Sequence, residues 1–524
     1  MGLDVIWDVY KLMRHAIIIF ALCLSLSATT YTIKASGGNY TTISACAAVA
    51  VAGDSCVVYA SASPQSGWTQ SNSGTSGNPI TFTANTGDTV NITSTITISS
   101  RSYITISGFN LTASSGNAVV GNGTSAHNII THNTAKTTLF YIQDEQGSNG
   151  SDNTISYNTV DLTGHTDNAQ GLFVFGDRNL FDHNEIKNGE GDCHDLGGMN
   201  VVIRYENCHD MNGASGEHID FLQVVGGTSP TLSFSLIEHN VFQHCYNDAG
   251  NCHLLIIRAS GGPIADTVIY RFNYGQNQDG GTVGYGDHND GTSTVPNGTV
   301  YNNTIAAGTL ISENGGCYGF DAGTGNGANN ICYQQMTGGW SPTIFNYGGS
   351  GNGDLAYTTG YSGSWNSPYS TEGTYAALHN QNPLFANYPT DGTLQVGSPA
   401  IGAGVALTTA VGSGSGSTSL TVANAHWFQP GWGPTGAAVN ADWIRIGTST
   451  TVQISSVDYT NNILTLASPQ SWSNGASIYL YKDSGGTVVL TGSAPDVGAF
   501  PYSSSPSGNS QASGIGKAQG VIIQ

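Results

Sequence analysis

Charge is scarce in this chain, and positive charge scarcest: 13 Lys and Arg stand against 34 Asp and Glu in 524 residues, a formal net charge of −21. Nucleic acids and anionic membranes both reward basic patches, so neither is expected as a partner. Beyond the N-terminal segment no apolar run approaches the ~20 residues of a membrane-spanning helix. The sequence holds no Cys-x-x-Cys, Walker A, His-Glu-x-x-His, dinucleotide-glycine or zinc-finger spacing, which argues against nucleotide chemistry and zinc proteolysis. What it has instead is 71 glycines, abundant Asn, Ser and Thr, and 39% hydrophobic residues. That is the composition of many short strands and tight turns. An acidic surface also suits calcium.

Lys11 and Arg14 precede the apolar run Ala16 to Leu26, and Ser25-Leu26-Ser27-Ala28 supplies small residues for cleavage. Residues 1–28 therefore read as a signal peptide, cut after Ser27 or Ala28, and the mature protein as secreted, extracellular or periplasmic. Cys23 leaves with the signal. The eight remaining cysteines fall into four close pairs, Cys46 and Cys56, Cys193 and Cys208, Cys245 and Cys252, Cys317 and Cys332. An even count in an exported chain favours disulfides, and pairing of neighbours would staple individual loops.

The segments ITISGFNL (104–111), NIITHNT (128–134), NTISYNTV (153–160), NLFDHNEI (179–186), NVVIRYEN (200–207), SLIEHNVF (235–242), TVIYRFNY (267–274) and TVYNNTI (299–305) share one template, apolar alternation followed by Asn. Aligning Asn110, Asn133, Asn158, Asn184, Asn207, Asn240, Asn273 and Asn303 gives spacings of 23, 25, 26, 23, 33, 33 and 30 residues. Such a period marks a solenoid whose coils stack at the strand spacing of ~4.8 Å. The aligned Asn residues are then expected to form a side-chain ladder at a turn, with His132, His183 and His239, one place earlier, as structural turn partners.

This repeat resembles the pectate-lyase-like superfamily of right-handed parallel β-helices over roughly residues 31–407. The opening Tyr40-Thr41-Thr42-Ile43, with Cys46 to Tyr59, looks like an N-terminal cap and first coil. Ser398-Pro399-Ala400-Ile401-Gly402-Ala403-Gly404 and Pro495-Asp496-Val497-Gly498-Ala499-Phe500 look like the two halves of a closing motif, here about 90 residues apart. The fold expected is all-β: a parallel β-helix over 29–407, a small β domain inserted at 408–492, a closing segment at 493–502 and a disordered tail at 503–524.

Acids and histidines crowd residues 177–290 of a charge-poor chain. Strand alignment from the sequence puts Gly171, Asp195, Asp220 and His253 in one column and Ala169, Cys193, His218 and Asn251 in the next. The resemblance implies a calcium-assisted polysaccharide lyase. Bound calcium neutralises a uronate carboxylate, a base removes the C5 proton, and the chain breaks by β-elimination. Asp192, Asp195, Glu217 and Asp220 are the candidate calcium ligands. Lys187, His194 or His218 is the base, and Arg204 or Arg258 stabilises the enolate-like charge. His253, Tyr246 and Tyr285 are candidates for contact with an acidic polysaccharide, and the protein is expected to act as a monomer.

Two other readings stay open. An inverting glycoside hydrolase needs an acid and a base on opposite sides of the scissile bond, which Asp192, Asp195 and Asp220 could provide. The Gly191-Asp192-Cys193 step is a partial match to such enzymes. A non-catalytic carbohydrate-binding or adhesive solenoid is the third. Asp287-His288-Asn289-Asp290-Gly291 reads as a turn rather than a calcium loop, because no acid follows at the closing position.

Overall fold

The computed structural model describes residues 28–113, 115–142, 150–165, 169–213, 219–226, 232–247, 252–259, 266–277, 285–287, 297–310, 318–320, 325–336, 345–346, 348–359, 380–388 and 391–502. Three long parallel sheets of 13, 11 and 10 strands run side by side, here sheets A, B and C. Each coil lends one short strand to each sheet in turn. Leu180–Asp182 lies in A, Glu185–Lys187 in B and His194–Gly197 in C. The chain then returns to A at Val202–Arg204, which pairs parallel and in register with Leu180–Asp182. This is a parallel β-helix, the fold the repeat implies, and the strong right-handed preference of parallel crossovers sets its hand.

Side chains alternate across each strand, so one column per sheet faces inward. In sheet A it is Ile130, Ile155, Phe181, Ile203, Ile237, Tyr270 and Val300, and in sheet B Ala135, Val160, Ile186, Cys208 and Phe242, all buried in one continuous core. The short helix Ile43–Ala47, capped by Thr42, buries Ile43, Cys46 and Ala47 against the end of that core. Disulfides join Cys46 to Cys56 and Cys193 to Cys208, as neighbour pairing predicts. Cys245 and Cys332 are disulfide-bonded as well.

The ladder between sheets A and B is built from Asn133, Asn158, Asn184, Asn240, Asn273, Asn303 and Asn330. Each of these side-chain oxygens accepts the backbone N–H of the equivalent residue one coil earlier, which is Phe109 for Asn133 and Glu206 for Asn240. Two expected members are displaced by one residue. Asn110 pairs with Thr134, which leaves the rung to Phe109, and Asn207 pairs with Glu185, which leaves it to Glu206. At six rungs the residue before is a left-handed ring residue, φ between 55° and 61°: His132, Tyr157, His183, Tyr205, His239 and Phe272. Their rings stack one on the next with centroids 4.6 to 5.1 Å apart. Stacking offsets the strain of a non-glycine left-handed turn.

Between 408 and 482 six strands form an antiparallel sheet. Its Trp427, Phe428 and Trp432 pack with Leu180, Val202, Leu236 and Ile269 on the outer face of sheet A. The cover explains a change in the strands. Ile104–Ser107 is buried at alternate positions, whereas Leu180–Asp182, Val202–Arg204, Ser235–Glu238 and Val268–Arg271 are buried throughout. Strands buried on both faces lose polar alternation. After the sheet, the two halves of the closing phrase meet: Asp496 Oδ1 accepts from Gly402 N at 2.7 Å, and Val497 N donates to Ala400 O at 2.9 Å. Among the described residues no helix is long and apolar enough to cross a membrane.

Candidate functional site

The sheet C strands His194–Gly197 and Ile219–Gly226 pair in register, His194 with Leu222 and Asp195 with Gln223. The same offset sets Asp192 beside Asp220, and Asp220 N donates to Asp192 Oδ1 at 2.7 Å. Asp192, Asp195, Asp220 and Gln223 are all less than 8% exposed. Their carboxylates gather round one amide. One amide atom of Gln223 lies 3.1 Å from Asp195 Oδ1 and 3.2 Å from Asp192 Oδ2, and the other lies 3.3 Å from Asp220 Oδ2. If the nitrogen faces Asp192 and Asp195, the oxygen faces Asp220; turned over, the oxygen faces two carboxylates. The hydrogen-bonding pattern favours the first orientation, in which the amide nitrogen donates to both Asp192 and Asp195.

The donors are carboxylate and amide oxygens, the set that calcium takes and zinc does not prefer. They approach the amide from two sides, and among the described residues no three His, Cys, Asp or Glu side chains close on a single metal position. The donor type is the one calcium takes, but with the Gln223 nitrogen between Asp192 and Asp195 and Asp220 on its far side the groups do not close on one ion position.

The register differs from the expected one. Asp195 aligns with Phe173 and Gln223, offsets of 22 and 28 residues, where the sequence alignment took 24 and 25. Asp220 does align with His253, but Asp192 is its other neighbour. Gly171 pairs through Asp192 O and belongs to the Cys193 column. The cause is unequal turns, since residues added between strands change the coil length without changing the pairing.

Two expected catalytic groups are corrected by burial. His194 points into the core between Phe181 and Phe221 and is 0% exposed. Its Nδ1–H donates to Phe221 O at 2.8 Å, and its Nε2 lies 2.9 Å from Glu206 Oε2. Glu206 occupies the ladder rung, accepting Asn184 N at 2.9 Å with Oε1, and burial raises its pKa against the opposing pull of His194. His194 thus completes a ladder that carries Glu in place of Asn. Arg204 lies under the antiparallel sheet, bonded to both oxygens of Asp182 and to Ser484. His194 faces the core and Arg204 the covering sheet, and both are held by partners within the fold. Glu217 and His218 fall outside the described residues, as do 288–291. His253 and Arg258 lie in the sheet C strand Cys252–Ala259, Tyr285 in Tyr285–Asp287 and Tyr246 in the sheet B strand Val241–Asn247. The side chains of these four fall outside the described set.

Lys187 is on the outer face of sheet B, in register with Asp161 and His209. Its Nζ donates to Glu185 Oε2 at 2.9 Å. Around it is a network the sequence reading did not single out. His209 sits between Glu185 Oε1 at 3.1 Å and Asp210 Oδ2 at 2.6 Å, and His244 Nδ1 lies 3.1 Å from Asp210 Oδ1. Asp210 and His244 are both left-handed, φ 55° and 52°. The signal available in the sequence was the pair of His-containing steps, His209-Asp210 and Gln243-His244, one coil apart. Burial alone lowers the His209 pKa, but its hydrogen bonds to Glu185 and Asp210 raise it overall. Glu185 is held down to about 2, first by the His209 hydrogen bond.

The linkage runs in two directions. Depressed carboxyls contribute stability above their unfolded values and lose it as pH falls; a raised histidine contributes below its unfolded value and loses it as pH rises. The network is therefore most stabilising between about pH 4.5 and 6.5. Thermal unfolding of His209→Leu against the native chain should show its largest Tm deficit in that window, and a pH-independent deficit would contradict the assignment.

No protein-family model matches the chain, and no curated relative matches it. Solved structures do. Pectate lyase Pel9A is 13% identical with TM-score 0.34, covering 73% of this chain and 93% of its own. The PL6 family alginate lyase AlyGC is 13% identical with TM-score 0.39, covering 71% of this chain and 55% of its own. Geobacillus virus E2 ORF18 is 12% identical with TM-score 0.35, covering 87% of this chain and 72% of its own. At these values the likeness is one of fold.

Proposed function

We propose that this protein is a secreted polysaccharide lyase acting on a uronate-containing polymer, with Asp192, Asp195 and Asp220 as the acidic cluster that would recruit calcium. The observation that carries the reading is the gathering of three buried carboxylates round one amide on adjacent coils of sheet C. Calcium bound there would neutralise the substrate carboxylate and acidify the C5 proton. Lys187, five residues before Asp192 and across the turn from sheet B to sheet C, is the group assigned to take that proton. Lys187 takes the proton as the free amine, so its ammonium, held by Glu185 Oε2 at 2.9 Å, first gives up a proton to solvent. The disulfides and the N-terminal segment support export.

The test is degradation of polygalacturonate, alginate and neutral polymers with calcium or EDTA, following unsaturated uronates and reducing ends together. Both should rise with calcium, and Asp195→Ala should lower the rate at least about tenfold. Reducing ends without unsaturated product would mean hydrolysis, and no product from any polymer would overturn the enzymatic reading.

A further inference from the structure

The antiparallel sheet that covers sheet A has a second side. In its strands Trp443–Ile446 and Ser477–Lys482 the residues Ile444, Ile446, Ile478 and Leu480 are buried in its core, so Trp443, Arg445, Tyr479 and Tyr481 stand on the opposite side. Arg445 lies across from Tyr479, and Trp443 across from Lys482. The pairing slips between Trp443 and Ile444, a bulge that takes Lys482 out of the inward series of Ile478 and Leu480 and sets it beside Trp443. Its Nζ lies 4.9 Å from the centre of the Trp443 ring and 6.0 Å from that of Tyr481, and the Arg445 guanidinium lies 4.6 Å from that of Tyr479. Trp443, Tyr479, Tyr481 and Lys482 are all partly open to solvent.

The positive charge here is unanswered. Residues 408–492 hold two cations, Arg445 and Lys482, and three acids, Asp442, Asp458 and Asp483. Asp442 and Asp483 are buried toward the β-helix, bonded to Arg271 and His239, and Asp458 is bonded to Asn461 at the far end of its own strand. Among the described residues no carboxylate pairs with Arg445 or Lys482. Arg445, 6% exposed, donates to Gly492 O at 2.6 Å and to Ser493 O, and its Nε is buried without a partner. In a chain of 34 acids against 13 Lys and Arg, two cations left among aromatic rings are suited to an anion from outside the chain.

We propose that this face of the antiparallel sheet binds an acidic oligosaccharide, with a uronate carboxylate on Lys482 and the sugar ring against Trp443 and Tyr481. The rings take the apolar C–H side of the sugar and the ammonium takes its charge, so a neutral sugar keeps only the first contact. The face supplies its own positive charge, and binding there does not need calcium. The inference rests on the lyase reading for the class of ligand, and it gives the inserted sheet a role separate from the carboxylates of sheet C.

The experiment is calorimetric titration of the full mature chain, in EDTA to prevent turnover, with tetrameric galacturonate and mannuronate and with a neutral tetrasaccharide, at low and at moderate salt. One of the uronates should bind at least about tenfold more tightly than the neutral sugar, and less tightly as salt rises. Lys482→Gln should weaken that binding about five- to tenfold and flatten its salt dependence, the worth of one charged contact. It should keep the native Tm, because the ammonium has no partner in the fold to lose. Trp443→Ala should weaken binding by a similar factor at both salt concentrations. Native affinity in Lys482→Gln, or equal binding of the neutral sugar, would overturn the face. If the native chain binds uronate here and degrades no polymer with calcium, the lyase reading falls and the face stands; if it degrades polymer and Lys482→Gln binds as the native chain does, only the face falls.

Discussion

Arg271→Met should destabilise the protein by about 3–5 kcal/mol, read as a shift in denaturant midpoint. Arg271 is 0% exposed and is the junction of the β-helix with the antiparallel sheet. Its Nε donates to Glu238 Oε2 at 2.8 Å, its Nη1 and Nη2 donate to the two oxygens of Asp442 at 2.8 Å, and Nη1 also reaches Tyr301 Oη. It ends a column of alternating sign on sheet A, Asp182, Arg204, Glu238, Arg271, one residue per coil. Methionine fills much of the volume but leaves two carboxylates buried without their cation. Burial already pushes the Asp442 carboxyl up, with Arg271 as the main opposing influence. The double variant Arg271→Met with Asp442→Leu should recover part of the loss, since an apolar pair of similar size can replace a buried ion pair at little cost. No recovery would mean that packing, and not charge, makes the site costly to alter.

The second large effect is expected at Glu206. Glu206→Ala should cost about 3–5 kcal/mol, because it opens a ladder rung, frees Asn184 N and leaves His194 Nε2 buried without a partner. Glu206→Gln should be close to neutral. Its side-chain oxygen can accept from Asn184 and its amide N–H can donate to His194 Nε2, while Nδ1–H remains on the Phe221 carbonyl. Equal losses in both variants would show that the rung needs a charged carboxylate.

The solenoid was legible in the sequence because its signal is periodic and repeated: apolar alternation with Asn every 23 to 33 residues leaves one arrangement that buries every coil. Asp192, Asp195 and Asp220 were legible as acids in a charge-poor chain, and the structure brings all three to Gln223. Their register was not, because sequence counts residues whereas pairing ignores those that loop out between strands. Gln223 itself carried no signal, since a single Gln in a strand looks like any polar surface residue. His194 and Arg204 misled for one reason. A polar residue in a β-helix can point into the core or beneath a covering sheet when a partner from another coil meets it, and partners such as Glu206 or Ser484 cannot be seen by scanning along one coil. The sheet B network was missed because its members come from strands 22 to 35 residues apart.

The joining of the two closing phrases sets an order of events during folding. The first coils can stack as soon as the exported chain is free to fold, each new strand resting on the one before. The final coils cannot be sealed in the same way, because Gly402 and Ala400 wait for Asp496 and Val497, and the outer face of sheet A waits for Trp427, Phe428 and Trp432. Contacts of such long sequence separation form late. Until then the outer face of sheet A is an apolar flank of the kind that joins one chain to another, and Trp427, Phe428 and Trp432 cover it.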